Sequence, residues 1–424
     1  MSDFLFWVGI DWGNDSHQVC VLDQKRQLVF ERSVKHDGKA IGRLASELIA
    51  RANGDAPRIA VGIETTRGAI IETLIERGMA AFSINPMQLD RFRDRHTIAG
   101  AKDDRRDAFV LADSLWTDTR LFRPITPRPA ELVELRELVR VYEDLKDLIN
   151  IQGNRLNQQL HRYYPQLLNL GSVYKDIWLW DVFELAPTPD KTKQLLRHEV
   201  KEILKKHRVR RMKAEQVIET LCSHPLQVAP GVVNACEQHI SMLLPLLRMA
   251  IRKRLECVKK LQKKLCQMVE QRGEDSQFSD AAILMSFPGV GTIVGATILA
   301  EVSHLLAARD LARLRANCGV APVTRRSGRS QLVVRRLARN KQLAEAVHYW
   351  SSANIKIDPK SKSHYNKLRT AGHRHARALR GVGDRLLSTL ITLLRRGELY
   401  DPSYRESLNP NDFVKGQVAT EMSQ

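Results

Sequence analysis

The sequence predicts two fold classes in series, an α/β domain followed by helical segments, here called α/β plus α. Three observations carry that reading. Short apolar runs alternate with amphipathic stretches over residues 1–123, which is the pattern of a sheet with packed helices. From Glu131 apolar residues instead recur at steps of three and four, the spacing of a helical seam. Beyond residue 276 the chain reads as helices broken by Gly and Pro. The expected domains are therefore 1–123, 124–275 and 276–402, with 403–424 as a polar, disordered tail.

In the front domain Phe4 to Ile10, His17 to Leu22 and Leu28 to Val34 read as three strands joined by short turns. A helix over Ile41 to Ala52, a strand over Ile59 to Ile63, a helix over Ala69 to Arg77 and a strand over Ala80 to Ile84 follow. A short helix near Met87 to Arg95 leads to a loop with Gly100 and then a helix over Asp104 to Trp116, and Pro124, Pro127 and Pro129 close the unit.

The middle segment predicts a long antiparallel coiled-coil arm. One seam runs Leu135, Leu138, Tyr142, Leu145, Ile149, Gln152, Leu156, Gln159 and Tyr163; the other runs Leu244, Leu247, Ile251, Arg254, Val258, Leu261, Leu265 and Met268. Between them lies a small helical tip with a basic run, Lys201 to Lys213. The window Ala281 to Ala300 has no charge, yet Pro288, Gly289, Gly291 and Gly295 make two helices and a tight turn the better reading than a membrane span.

Composition rules out whole classes. At 424 residues, 43% hydrophobic and 27% charged, the chain is neither a disulfide-stapled module nor a disordered or fibrous protein. Its formal charge of +19 points to a polyanion, nucleic acid first. The excess is unevenly placed. Residues 1–123 hold 18 basic and 18 acidic residues, whereas 276–402 hold 21 basic against 8 acidic. The six cysteines include no CxxC pair, and Asp3 and Asp11 stand where a signal peptide would be basic, so a reducing, cytoplasmic protein is expected.

Four carboxylates in the neutral domain suggest metal chemistry. Asp11 ends the first strand in GIDWG, Glu64 ends a later strand in GIETTRG, and Asp104 and Asp107 lie three apart on one helix face. Strand ends of a parallel sheet collect ligands, and Mg²⁺ takes such oxygen donors together with phosphate oxygens. The phosphate loop of actin-like ATPases opens the same way, but the second phosphate loop and adenosine motif of those folds are missing. In the loop GVAPVTRRSGR, Ser327 lies among Arg325, Arg326 and Arg329. Guanidinium groups bind phosphate oxygens in pairs and stabilise charge on a phosphoryl centre attacked by a hydroxyl. Thr324 and Ser330 fit that local chemistry as well. A turn at FPGVGT, with Gly289 and Gly291, is either a phosphate grip made of backbone N–H groups or a plain helix corner. Cys222, His224, Cys236 and His239 form a weak zinc candidate with unsuitable spacing.

These motifs, in this order, resemble the DEDD transposases of the insertion sequence 110 family, relatives of Piv-type DNA invertases. The resemblance rests on GIDWG, GIETTRG, the K-x-D-x-x-D-A run at Lys102 to Ala108, PGVG and GVAPxxxxSG. It is extended by His364, Tyr365, Leu368, Arg369, Gly372, His373 and Ala378 to Arg380, and covers nearly the whole chain. It implies a RuvC-like, RNase H fold front domain with Asp11, Glu64, Asp104 and Asp107 binding Mg²⁺, and a helical back domain with Ser327 as nucleophile. It also implies donor and target DNA as substrates and a structured element-encoded bridging RNA as guide. Because the acids and the serine lie in separate domains, a homo-oligomer whose subunits complete the active site is expected. Asp103 stands where the family often has a small polar residue, and the i, i+3 relation favours Asp104 with Asp107. Two other outcomes stay open: a RuvC-like nuclease in which water attacks, and a non-catalytic nucleic-acid-binding protein.

Overall fold

The computed structural model describes residues 3–96, 103–127, 129–271, 278–328 and 330–402. Gly100, Lys102, Gln277, Arg329 and the expected tail at 403–424 lie outside the described residues. The chain forms two compact units, Met1–Pro129 and Ala130–Gln424.

In the first unit, β1 (Phe6–Asp11), β2 (Ser16–Asp23), β3 (Leu28–Lys35), β4 (Ile59–Ile63), β5 (Ala80–Ser83) and β6 (Arg123–Ile125) form one sheet in the order β3-β2-β1-β4-β5-β6. β1 and β4, and β4 and β5, are parallel, and the remaining pairs are antiparallel. The three-residue edge strand β6 was not expected, because Pro124 breaks its apolar run; its position at the edge tolerates the missing N–H. Among the described residues four helices cover the sheet: α1 (Gly38–Arg51), α2 (Ala69–Glu76), α3 (Pro86–His96) and α4 (Asp104–Asp118).

Strand alternation assigns the faces. Val8 and Ile10 of β1 with Val61 and Ile63 of β4 pack on Leu44, Leu48, Ile70 and Leu74 of α1 and α2. Trp7 and Ala60 turn the other way, onto Leu111 and Leu115 of α4 and Phe92 of α3. Gly9 and Gly62, paired across β1 and β4, lie on this second face. There a Cβ on Gly9 would overlap the Ala108 carbonyl oxygen and the Ala112 nitrogen of α4. The glycine lets the helix backbone rest on the strand. Gly9→Ala should therefore destabilise the unit near the upper end of the about 1–3 kcal/mol typical of overpacking, read as a lower urea midpoint. An unchanged midpoint would show that α4 has room to shift.

Among its described residues the second unit is helical apart from one hairpin. It comprises α5 (Ala130–Tyr163), α6 (Pro165–Asn169), α7 (Trp178–Leu185), α8 (Arg197–Lys206), α9 (Ala214–Cys222), α10 (Pro230–Glu270), α11 (Asp280–Met285), α12 (Thr292–Ala307) and α13 (Leu311–Asn317). The strands β7 (Val323–Ser327) and β8 (Ser330–Val334) come next, then α14 (Lys341–Ile357), α15 (Pro359–Thr370) and α16 (His375–Arg396). α5 and α10 run antiparallel: Gln271 donates to Glu131 at 3.0 Å, and Cys257 Sγ donates to the Leu138 carbonyl at 3.3 Å.

At one end of this pair Leu135, Val139, Leu261 and Leu265 join a core with Trp350 and Leu387. At the other end Leu156, Leu160, Tyr163, Leu244 and Leu247 join Trp178 and Trp180. The buried stripe takes in Val139, Gly153 and Leu160, where a strict two-helix seam would use Leu138, Gln152 and Gln159. Each end packs on further helices as well as on its partner, and that widens the stripe. The uncharged window resolves into α11, a turn and α12, and no helix among the described residues is long and apolar enough to cross a membrane.

Candidate active site

The register that pairs Ile10 with Ile63 places Asp11, at the end of β1, beside Glu64, the residue after β4. By alternation both carboxylates follow Gly9 and Gly62 onto the α4 face. There Asp103 caps α4, its side chain accepting from the Arg105 N–H at 3.2 Å, so Asp104 and Asp107 fall in the first helical turn. Asp107 is 2% exposed, whereas Glu64 and Asp104 are exposed.

Burial, together with the negative charges of Asp107, Asp104 and Glu64, pushes the Asp11 carboxyl up to about 6, against a smaller opposing pull from Arg93. Three acids, Asp107, Asp104 and Glu64, thus act on the fourth, Asp11.

Arg93 of α3 completes the site and was not anticipated. Its Nε and Nη2 donate to the two oxygens of Asp107 at 2.7 and 2.8 Å, and its Nη1 donates to Asp90 at 2.5 Å. A paired fork of this kind supplies the counter-charge that buried Asp107 requires. The only sequence signal for it is the arginine-rich run Arg91, Arg93 and Arg95. Among the described residues no three His, Cys, Asp or Glu side chains are arranged to hold a metal ion as they stand. The donor set nonetheless suits a hard divalent cation: all four groups offer oxygen, and their mutual repulsion at Asp11 is what such a cation relieves.

The turn behind Asp11 is held by two histidines. Fully buried His17 accepts from the Gly13 N–H through Nδ1 at 3.4 Å, so its proton lies on Nε2 and is donated to His36 Nδ1 at 2.9 Å. Burial, and then His36, lower the His17 pKa and keep the ring neutral. Trp12, 46% exposed, covers Gly68 in the loop after Glu64.

In the second unit Ser327 closes β7 and pairs with Ser330, so the segment expected as a loop is a hairpin turning at Gly328, whose φ is +54°. Alternation sets Arg325 on the face of Ser327 and Arg326 on the opposite face. Both strands are almost wholly exposed. Gly289, with φ +82°, lies against Ala353 and Asn354 of α14, and the Pro288 carbonyl accepts from Trp350 Nε1 at 3.2 Å and Asn354 Nδ2 at 2.8 Å. The turn is thus built as a helix corner, while Gly291 faces open space at the start of α12.

Part of the basic run at 201–213 is committed internally. Lys206, His207 and Arg248 surround Asp181 at 2.6–2.8 Å, and Arg211 pairs with Asp176. Although burial works the other way, these hydrogen bonds hold the Asp181 carboxyl far below the usual carboxylate range. The zinc candidate does not assemble: Cys236 is buried in the core around Tyr163, Cys222 is exposed, and the described residues hold no metal-binding group of three.

An acid-ended α/β sheet ahead of a basic helical unit describes a class of proteins that act on nucleic acid, and sequence comparison narrows the class. Residues 8–165 match a family described as "Transposase", and residues 281–366 match the "Transposase IS116/IS110/IS902 family". The candidate mini-circle transposase for IS117 of Streptomyces coelicolor is 30% identical over 404 residues, covering 93% of this chain and 94% of its own. The candidate transposase y4uE of Sinorhizobium fredii is 42% identical over 209 residues, 49% of this chain and 58% of that one. The uncharacterized 42 kDa protein of insertion element IS900 from Mycobacterium paratuberculosis is 26% identical over 94% of this chain and 97% of its own. The chain belongs to the IS110 family of transposases.

Proposed function

We propose that the protein is a site-specific DNA recombinase that moves an insertion sequence by cleaving and rejoining DNA through a phosphoserine link at Ser327. Asp11, Glu64, Asp104 and Asp107 are the groups that would hold Mg²⁺. The observation that carries this reading is the strand register that sets Asp11 beside Glu64 under the acidic first turn of α4. A bound divalent ion neutralises charge on phosphoryl oxygens and favours loss of a hydroxyl proton. The Ser327 oxygen bonds to phosphorus as one backbone P–O bond breaks, and the serine proton passes, in net, to the departing strand. Arg325, on the same face, and Arg326 and Arg329 nearby in sequence hold the phosphate. Gly291 adds backbone donors.

Several features support the wider expectations. A three-stranded meander joined to parallel strands, with acids at the strand ends, fits an RNase H-like, RuvC-like front domain at 1–123. The antiparallel α5 and α10 fit a coiled-coil arm at 124–275 that spaces subunits of a homo-oligomer, with the serine-bearing domain at 276–402. The charge of the back half suits both DNA and a structured guide RNA.

A second reading has one observation in its favour. Residues 323–334 contain no carboxylate or histidine, so the hairpin has no base of its own, as in a nuclease where water attacks and the hairpin only grips DNA.

The metal role is tested with Glu64→Gln on a supercoiled plasmid carrying the element's ends. Mg²⁺-dependent cleavage should fall at least about 10²-fold, the scale of losing one preorganised electrostatic group, while filter retention of DNA is kept. Undiminished cleavage refutes the assignment.

A further inference from the structure

Behind the Ser327 hairpin the second unit contains a cavity of about 450 Å³ whose wall includes Arg335, Arg339, Lys341, His348, Tyr349 and Arg380. Arg335 and Arg380 also border a further cavity, which Arg377 lines as well. Of the acids on these walls, Glu345 accepts from Lys146 at 3.2 Å and Asp384 is paired with Arg315. The clustered guanidinium groups therefore face the space without a carboxylate left over to neutralise them.

The arrangement is built into the fold. Gly319, at φ +68°, has no Cβ, and the stem of Arg339 lies over the position one would occupy. Arg339 Nη1 donates to the Arg336 carbonyl at 2.9 Å and Arg336 Nε donates to the Ala321 carbonyl at 3.4 Å, which fixes the strand leaving β8. Arg339 Nε is buried with no hydrogen-bond partner, a costly state for a charged donor. Burial and the neighbouring arginines lower the pKa of both Arg339 and Arg380, the response of cations crowded without an anion. At the rim Tyr349 is 58% exposed, a ring placed to stack on a base.

We propose that this cavity is a second phosphate site, in which Arg335, Arg339 and Arg380 grip a backbone phosphate of a nucleic-acid strand a short distance from the hairpin. The cavity volume is in the range of small-ligand pockets, and arginine forks match phosphate oxygens in pairs. The proposal rests on the reading of the protein as one that acts on nucleic acid, but it concerns binding alone and does not depend on the nucleophile.

The test uses the full chain in chelator, so that no cleavage occurs, with a short fluorescein-labelled DNA strand and the same sequence as RNA. Arg339→Gln and Arg380→Gln should each weaken binding roughly tenfold, the worth of one charge-assisted hydrogen bond, and flatten the slope of log affinity against log salt by about 1. Gly319→Ala, which displaces Arg339 without removing charge, should match Arg339→Gln in affinity. The strand that responds identifies the occupant as DNA or RNA. Wild-type affinity and slope for both strands in the Arg339→Gln, Arg380→Gln double variant would overturn the proposal.

A readout that needs no variant is phenylglyoxal modification of the wild-type protein, mapped by peptide mass. Added strand should shield Arg335, Arg339 and Arg380. Equal modification with and without nucleic acid overturns the site. Loss of the covalent adduct in Ser327→Ala with intact shielding would separate the two roles, and shielding without any adduct in the wild type would sink the serine mechanism while leaving this site standing.

Discussion

Ser327→Ala should yield no covalent protein–DNA adduct on a supercoiled donor plasmid and should lower strand cleavage by at least about 10³-fold, as expected when a nucleophile is removed. The fold should not notice. Ser327 is exposed at the tip of β7, and surface changes of this kind stay within about 0.5 kcal/mol. The neighbouring hydroxyls provide the controls. Ser330 stands directly across the hairpin from Ser327, and Thr324 is on the opposite face of β7, paired with Val333. Ser330→Ala and Thr324→Ala should therefore retain the adduct. An adduct that persists in Ser327→Ala would remove the serine from the mechanism. Cleavage by the wild type without any adduct would favour attack by water.

Asp11→Asn should raise the thermal midpoint of the chelated protein while removing whatever rise Mg²⁺ produces in the wild type. The sign follows from the raised pKa. A carboxyl at about 6 in the folded chain, against an ordinary value of 3.8, is penalised when ionised. The penalty is absent below pH about 4, grows as pH rises toward 6, and is complete above that. Asp11 is only partly buried, so after discounting for solvent screening the relief from Asn is about 1–2 kcal/mol at pH 7. That corresponds to a few degrees in midpoint. At pH 4 the variant and the wild type should melt together. In the wild type a bound cation stabilises by mass action, and loss of the Asp11 oxygen should erase that gain. A variant that melts lower than the wild type at pH 7 would show that Asp11 is held by favourable contacts instead of crowded by its neighbours.

Both predictions follow from features legible in the sequence to different degrees. The acids at the ends of β1 and β4 could be read because the continuous apolar runs Trp7 to Ile10 and Ala60 to Ile63 each stop at a carboxylate. The i, i+3 acids of α4 could be read for the equivalent helical reason. The hairpin could not. RRSGRS has no apolar alternation, and both of its strands stay in solvent, so burial left no mark on the residue pattern. β6 was hidden by Pro124, and the true stripe of α5 by the further helices that pack at each end of it. The partner of Asp107 was hidden too. Arg93 reaches it from α3 across a helix-to-helix contact, and nothing within a local window links a guanidinium to a carboxylate 14 residues away.

The sequence alone determined the order of elements, the neutral front and basic back, and the residue types at the strand ends, because periodicity and charge are properties of neighbouring positions along a chain. Tertiary structure decided which of these groups meet. Two glycines facing the same helix let α4 settle onto the sheet, and that approach turns four scattered acids into one electrostatic cluster at Asp11. The arginines of the second cavity converge from the segment after β8 and from α16. Convergence of that kind depends on how elements pack, and packing is settled by shape and burial among residues far apart in the chain.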